Sequence, residues 1–335
     1  MQTLPLPATT AVLWLFFSFA ALANAAIVDN FAPPQQRIDV GGFKLNSILI
    51  EAGAAPDLPP IVFIHGASTS LYDPLLSFRV RLEGRARLLF VDRPGHGDSD
   101  AGGAENILPD AQADAIARLM EARGIAKAIM VGHSFGGAVI AAFAIRHPDK
   151  VAGLVFLSPV VYPWPGGVAW YYSAARPPLT GLLFSAFIVP PIGILTIDSA
   201  TKAVFAPNQR PAGYIKATRA LQALRPGAFQ YNAREIAALS GWAKSASPGY
   251  RKIRAPTVII AGDADKTVST DIHARHLARD IQGSTLIVVH NLGHKSDYVA
   301  ADLVVAAIEK LSGKRSKLRA TTKTLEQRIA NDGKD

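Results

Sequence analysis

The residues that can do chemistry in this chain centre on one serine. Ala128 to Ala144 reads AIMVGHSFGGAVIAAFA, a β-branched run ending at Gly132, then Ser134, then a helical pattern without a linker. Gly-x-Ser-x-Gly in this setting suits a nucleophile: a sharp strand-to-helix turn strains the serine and lifts Oγ clear of the sheet. Gly132 and Gly136 leave space for the chain to pass closely, and Gly137 lets the helix pack. The bland alternative is a serine capping a helix, which needs neither glycine.

A nucleophilic serine attacking a carbonyl requires donors for the oxyanion. Unpaired N–H groups at a helix N-terminus favour negative charge, so the Phe135 N–H is one candidate. A second is expected in the loop after an earlier strand. IVFIHGAST, residues 61–69, supplies it at Ala67. His65, at the strand end, is read as bracing that loop.

FIHGAS, VDRPGHGDS and VGHSFGG, in that order and spacing, resemble the α/β-hydrolase superfamily over roughly Arg37 to Leu311. The resemblance implies a mostly parallel eight-stranded sheet flanked by helices, with a helical cap insertion. It also implies a Ser-Asp-His triad in that chain order. In TVIIAGDADKTVS it favours Asp265, three residues after Gly262, with Asp263 as the fallback and a turn former. In LIVVHNLGHKSDYV it favours His294 in the Gly-His pair, leaving His290 at a strand end. His133 is expected to pack under the serine, and Asp92 and His96 to shape a turn.

The mechanism implied is acyl transfer. His294 takes the Ser134 proton, Asp265 orients the imidazole, and the Phe135 and Ala67 N–H groups hold the oxyanion. No cofactor and no metal are called for. Haloalkane dehalogenases and related epoxide hydrolases place an aspartate where this chain has Ser134, so neither chemistry is expected. Carboxylic ester hydrolysis is the preferred activity. Carbon-carbon bond hydrolysis and cofactor-free peroxidase-like chemistry are alternatives on the same fold, and a non-catalytic ligand-binding protein is the alternative of another class.

The elements that must position these residues follow from periodicity. Short β-branched runs alternate with helical patterns, the signature of a parallel sheet covered by helices. Strands are predicted over 37–40, 45–51, 61–64, 86–91, 128–131, 151–157, 257–261 and 285–289. Helices are predicted over 75–82, 108–123, 135–147, 270–280 and 296–311. Residues 26–159 and 251–313 then form the core in two parts, with 160–250 as the cap insertion. That insertion holds Trp164, Trp170, Tyr171, Tyr172, Phe184, Phe187, Phe205 and Phe229, suited to an apolar acyl or aromatic group or simply to packing. Leu179 to Ile197 is very apolar, but Pro190 and Pro191 interrupt it, so buried cap or pocket-wall helices are expected rather than a membrane span.

Composition sets the remaining bounds. The chain has 335 residues, 49% of them hydrophobic, enough for a large core. The net charge of +9 is spread out with no aromatic-interleaved basic stripe, so no nucleic-acid partner is expected; the partner is a small ester or acyl substrate. There is no cysteine, which removes disulfides and thiolate metal sites. Residues 1–25 contain an uncharged apolar run, Ala11 to Ala23, and an A-x-A pattern at Ala23 and Ala25. Export with cleavage is expected, to periplasm or medium, with a membrane anchor as the alternative. Residues 314–335 carry seven basic and three acidic side chains and read as a solvated, disordered tail.

Overall fold

Runs of β-branched and aromatic residues with no polar interruption build the middle of one eight-stranded sheet. The computed structural model describes residues 34–315 and 317–334; the leader expected over residues 1–25 lies outside the described residues. The strands are β1 (Gln35–Asp39), β2 (Lys44–Ile50), β3 (Ile61–Ile64), β4 (Leu88–Val91), β5 (Ala128–His133), β6 (Val151–Leu157), β7 (Thr257–Gly262) and β8 (Thr285–Val289). Their order across the sheet is β1-β2-β4-β3-β5-β6-β7-β8. β2 runs antiparallel to both β1 and β4, and every later pairing is parallel. β3, β4 and β5 are buried at every position, as strands covered on both faces must be, whereas β1 is an exposed polar edge.

Helices α1 (Tyr72–Leu82), α2 (Pro109–Ala122), α3 (Phe135–Arg146), α4 (Trp170–Ala175), α5 (Pro178–Phe187), α6 (Val189–Phe205), α7 (Tyr214–Ala217), α8 (Pro226–Ala246), α9 (His276–Asp280), α10 (Ser296–Val299), α11 (Ala301–Leu311) and α12 (Leu318–Ile329) complete the chain. α3 follows β5 after the single residue Ser134 and is buried through ten of its residues, so the central serine sits between two rigid, solvent-free elements. α4 to α8 all fall between β6 and β7, inside the stretch expected as an insertion.

The predicted strands agree with the observed ones to within two residues at each end. Two helical expectations change. The helix expected over 270–280 opens with a π-helical turn, Asp271–Arg275, and the one over 296–311 breaks at Ala300 into α10 and α11. The tail over 314–335 is not a disordered extension: α12 forms there and buries Leu318, Leu325 and Ile329. Residues 318, 325 and 329 share one helical face, and three buried apolar side chains suffice to dock a short helix despite its polar composition. The expectation of buried helices over 179–197 also fails in part, because Leu179, Leu182, Leu183, Phe187, Ile192, Ile194 and Leu195 are exposed.

Candidate active site

Ser134 occupies the turn between β5 and α3 with φ 53° and ψ −114°, a conformation costly for any residue with a Cβ, by about 1–3 kcal/mol. The turn is held from both sides. Ser134 N–H donates to Leu157 O at 2.9 Å, and Ser134 O accepts from Gly137 N at 2.9 Å and Val160 N at 3.2 Å. The two glycines are steric requirements: a Cβ at Gly132 would lie 2.4 Å from Gly136 O, and one at Gly136 would lie 2.3 Å from Ile64 O. Gly66, preceding Ala67, runs so close that its Cβ would meet Ser134 Cβ at 3.3 Å. The loop after β3 therefore lies directly against the serine, with Ala67 on it, and Phe135 opens the first turn of α3.

That loop is fastened by side chains distant in sequence. Ser68, at φ 56°, donates its N–H to Asn232 Oδ1 at 2.9 Å, and Asn232 Nδ2 donates to Ser68 Oγ at 2.9 Å, tying it to α8. His65 Nε2 accepts the Arg93 N–H at 3.0 Å, which leaves Nδ1 to donate to Gly66 O at 2.8 Å. Burial, then the Arg93 charge, holds its pKa well below the usual value, so His65 is a neutral brace as expected. Arg93 is fully buried. It donates to His65 O and Gly66 O, makes a two-pronged pair with Glu235 of α8 at 2.8 and 2.9 Å, and lies 4.3 Å over the Phe135 ring. Burial opposes ionisation of Glu235, but Arg93 and then His96 bring its pKa down to about 2.

His294 and Asp265 meet as the sequence order implies. His294 Nδ1 and Asp265 Oδ2 are 2.8 Å apart, both buried. A carboxylate only accepts, so Nδ1 carries the proton and Nε2 keeps its lone pair. Asp265 Oδ1 accepts Thr267 N at 2.8 Å and Val268 N at 2.9 Å. Burial works against its charge, yet the charge and hydrogen bond of His294 and these two N–H groups keep its pKa below the ordinary value. The fallback Asp263 instead pairs with exposed His290, at 2.7 Å. Asp92 accepts from Asn46, Leu71 and Asp98 and is a turn residue; burial raises its pKa to about 6 despite those bonds. His96 is bound to Glu235 at 2.7 Å.

The loop carrying His294 rests on a buried ionic cluster that sequence reasoning did not foresee. His133 Nε2 donates to His294 O at 2.9 Å, and burial, then the Lys295 charge, keeps the ring neutral. Lys295 lies between Asp73 of α1 at 2.6 Å and Asp297 at 2.9 Å, with Tyr214 of α7 donating to Asp73 at 2.8 Å. Burial alone would lower the Lys295 pKa, but the two carboxylates hold it above its usual value. On the far side, Gly293 N–H donates to Asn208 Oδ1 at 2.8 Å, and a Cβ at Gly293 would fall 2.3 Å from Ala206 O. Asn291 donates to Ile329 O and Asp332 O, and Glu326 accepts from His290 N, so the C-terminal helix braces this loop. The one advance signal was Asn291, a positive-φ asparagine ahead of Gly-His.

Ser134, His294, Gly66, Ala67 and Lys295 line one cavity of about 680 Å³. Its remaining wall comes mostly from α4 to α8: Trp170, Tyr171, Tyr172, Phe184, Ile192 and Phe229 among others. Asp73, His133 and Asp297 approach one another closely, and the Lys295 ammonium sits between the two carboxylates, bonded to both.

Comparison with known proteins bears on the fold and the family. The family described as the alpha/beta hydrolase fold matches residues 59–298. The 2-hydroxy-6-oxo-6-phenylhexa-2,4-dienoate hydrolase of Comamonas testosteroni is 27% identical over 275 residues, covering 77% of this chain and 89% of that protein. The 2-(acetamidomethylene)succinate hydrolase of Mesorhizobium japonicum is 26% identical over 284 residues, covering 82% and 93%. The crystal structure of the enol-lactonase from Burkholderia xenovorans LB400 superposes with a TM-score of 0.66 at 20% identity, over 83% of this chain and 100% of that one, a likeness of fold.

Proposed function

The chain belongs to the α/β-hydrolase fold family and is a hydrolase, and from that premise we propose that it cleaves carboxylic esters bearing an apolar acyl or aromatic group, through an acyl-enzyme on Ser134. The observation carrying this reading is the opening of Ser134 and of His294, itself bonded to Asp265, onto one largely apolar cavity.

In the proposed mechanism Ser134 Oγ attacks the ester carbonyl while His294 Nε2 takes its proton. The carbonyl oxygen becomes an oxyanion held by the Phe135 and Ala67 N–H groups. Collapse breaks the carbon–oxygen bond, and the alkoxide leaves with the proton from His294. Water then attacks the acyl-serine with His294 again as base, releasing the acid and regenerating Ser134. Asp265 fixes the imidazole tautomer throughout and stabilises its cationic form.

Carbon-carbon bond cleavage is a second reading, supported by the phenyl-bearing dienoate named for the Comamonas relative and by the aromatic wall of Trp170, Tyr171, Tyr172 and Phe229. The test is hydrolysis of a p-nitrophenyl ester series from acetyl to long acyl chains, beside Ser134→Ala and a serine-reactive phosphonate. Turnover favouring longer acyl groups and falling at least about a thousandfold in the variant is the expected result. Equal activity in both proteins removes Ser134 as nucleophile. Phosphonate labelling without ester turnover moves carbon-carbon cleavage forward, and no labelling at all leaves a binding protein.

A further inference from the structure

α5 and α6 are apolar on two sides. Phe184, Ile192 and Ile197 face the cavity, yet Leu179, Phe187 and Leu195 are 72%, 70% and 83% exposed. The exposed positions are ordered. Leu179, Leu183 and Phe187 recur every four residues along α5, and Ile194 and Leu195 stand exposed on α6 without lining the cavity. The α5 stripe ends at Phe187, beside the bend of 63° between the two helices. A helix apolar all round needs an apolar neighbour on each side, and contiguous exposed patches of this kind mark interaction surfaces.

Charge selects the occupant. Residues 170–225 carry Arg176, Lys202, Arg210, Lys216, Arg219 and Arg225 against Asp198, which pairs with Lys202 and Arg210, while Arg225 pairs with Asp98 beyond β4. A second copy seated on this face through a two-fold axis would set two such basic segments against each other. The uncharged leader has nothing to complement them. A lipid surface with anionic headgroups satisfies both features, attracting the basic side chains while its acyl layer accepts the leucines. α6 alone is too short to span: its 17 residues make about 25 Å of helix against a core of about 30 Å, and its second half carries Asp198 and Lys202.

We infer that the outer face of α5 and α6 lies in the interface of an anionic bilayer, so that the cavity wall these helices form is also the wall nearest the lipid. Binding is read separately from turnover, so this inference stands or falls apart from the bond cleaved.

The absence of cysteine provides the experiment. In the full chain, Leu195→Cys or Phe187→Cys is labelled with an environment-sensitive fluorophore, beside Val80→Cys on α1, a control 79% exposed. On vesicles of equimolar phosphatidylcholine and phosphatidylglycerol the probes at 195 and 187 are expected to shift to the blue and to lose emission to a nitroxide on the acyl chains. The probe at 80 stays water-like. Omitting phosphatidylglycerol raises the lipid needed for half the response at least about tenfold. A water-like probe at 195 on vesicles overturns the inference. So does a blue-shifted, quencher-insensitive probe without vesicles, which means a second copy or the leader covers the face, and so does an equal response on phosphatidylcholine alone.

Discussion

The sheet-borne half of the site and the α4–α8 segment that lines the rest of its cavity solve opposite problems. Around Ser134 and His294 charge is buried and paired: Arg93 with Glu235, and Lys295 with both Asp73 and Asp297. In α5 and α6 apolar surface is exposed and unmatched. Burying ions is expensive unless each is paired with good geometry, and the result is a rigid frame, since removing Glu235 or Lys295 leaves an uncompensated charge. Leaving leucines in water forgoes about 25 cal/mol per Å² but keeps them available to another surface. Positioning is thus concentrated in one region and contact with the surroundings in the other.

The largest effect that sharpens this contrast is expected in the frame. Asp265→Asn should lower kcat by about 10³–10⁴ with little change in KM, because the wrong imidazole tautomer then faces Ser134. Asp263→Asn, which disturbs only the exposed pair with His290, should leave ester turnover within about twofold of wild type. Equal losses in the two variants would assign the acid wrongly.

Glu235 joins the two regions, and its substitution tests the buried frame. Glu235→Gln should cost about 3–5 kcal/mol at neutral pH, seen as a lower denaturation midpoint, by leaving Arg93 buried without its countercharge. The pH dependence has a definite sign. Glu235 lies at about 2 in the native state against an ordinary 4.5, so the native state binds fewer protons. Its contribution, about 3 kcal/mol, is complete above about pH 4.5 and disappears as pH falls through about 2. The wild-type midpoint should therefore fall between pH 4.5 and 2 more steeply than that of the variant. Parallel curves would show that the pair is not what stabilises the native state.

The smallest effect belongs to α6. Leu195→Asp should change stability by no more than about 0.5 kcal/mol and leave turnover of a soluble short-chain ester unaltered, because the side chain touches neither core nor cavity. A drop of several kcal/mol would mean that the α6 face is part of the folded core, and the contrast between the regions would collapse.

The elbow was legible in the sequence because everything that makes it is local: a β-branched run, Gly132, Ser134, Gly136 and an uninterrupted helix. The same holds for β3 running into Gly66 and Ala67, and for the Gly293–His294 pair beyond β8. Asp265 was separable from Asp263 only by resemblance, since both follow the same strand, and the fold decides between them through which one reaches His294 rather than His290. The tail misled because its few apolar residues, Leu318, Leu325 and Ile329, look sparse until a face exists to receive them.

What the sequence by itself determined is the order of strands and helices, the strained serine and the histidine, all written within stretches of about a dozen residues. What only the tertiary structure decided is which distant side chains meet. Glu235 lies 142 residues from Arg93, Lys295 222 from Asp73, and Asn291 about forty from the backbone carbonyls of α12 and the turn beyond it. Local patterns report the conformation of a segment, because dihedral preference and periodicity act over a few residues. Neutralising a buried charge, or leaving a leucine in water, depends on what the rest of the chain brings to that point in space.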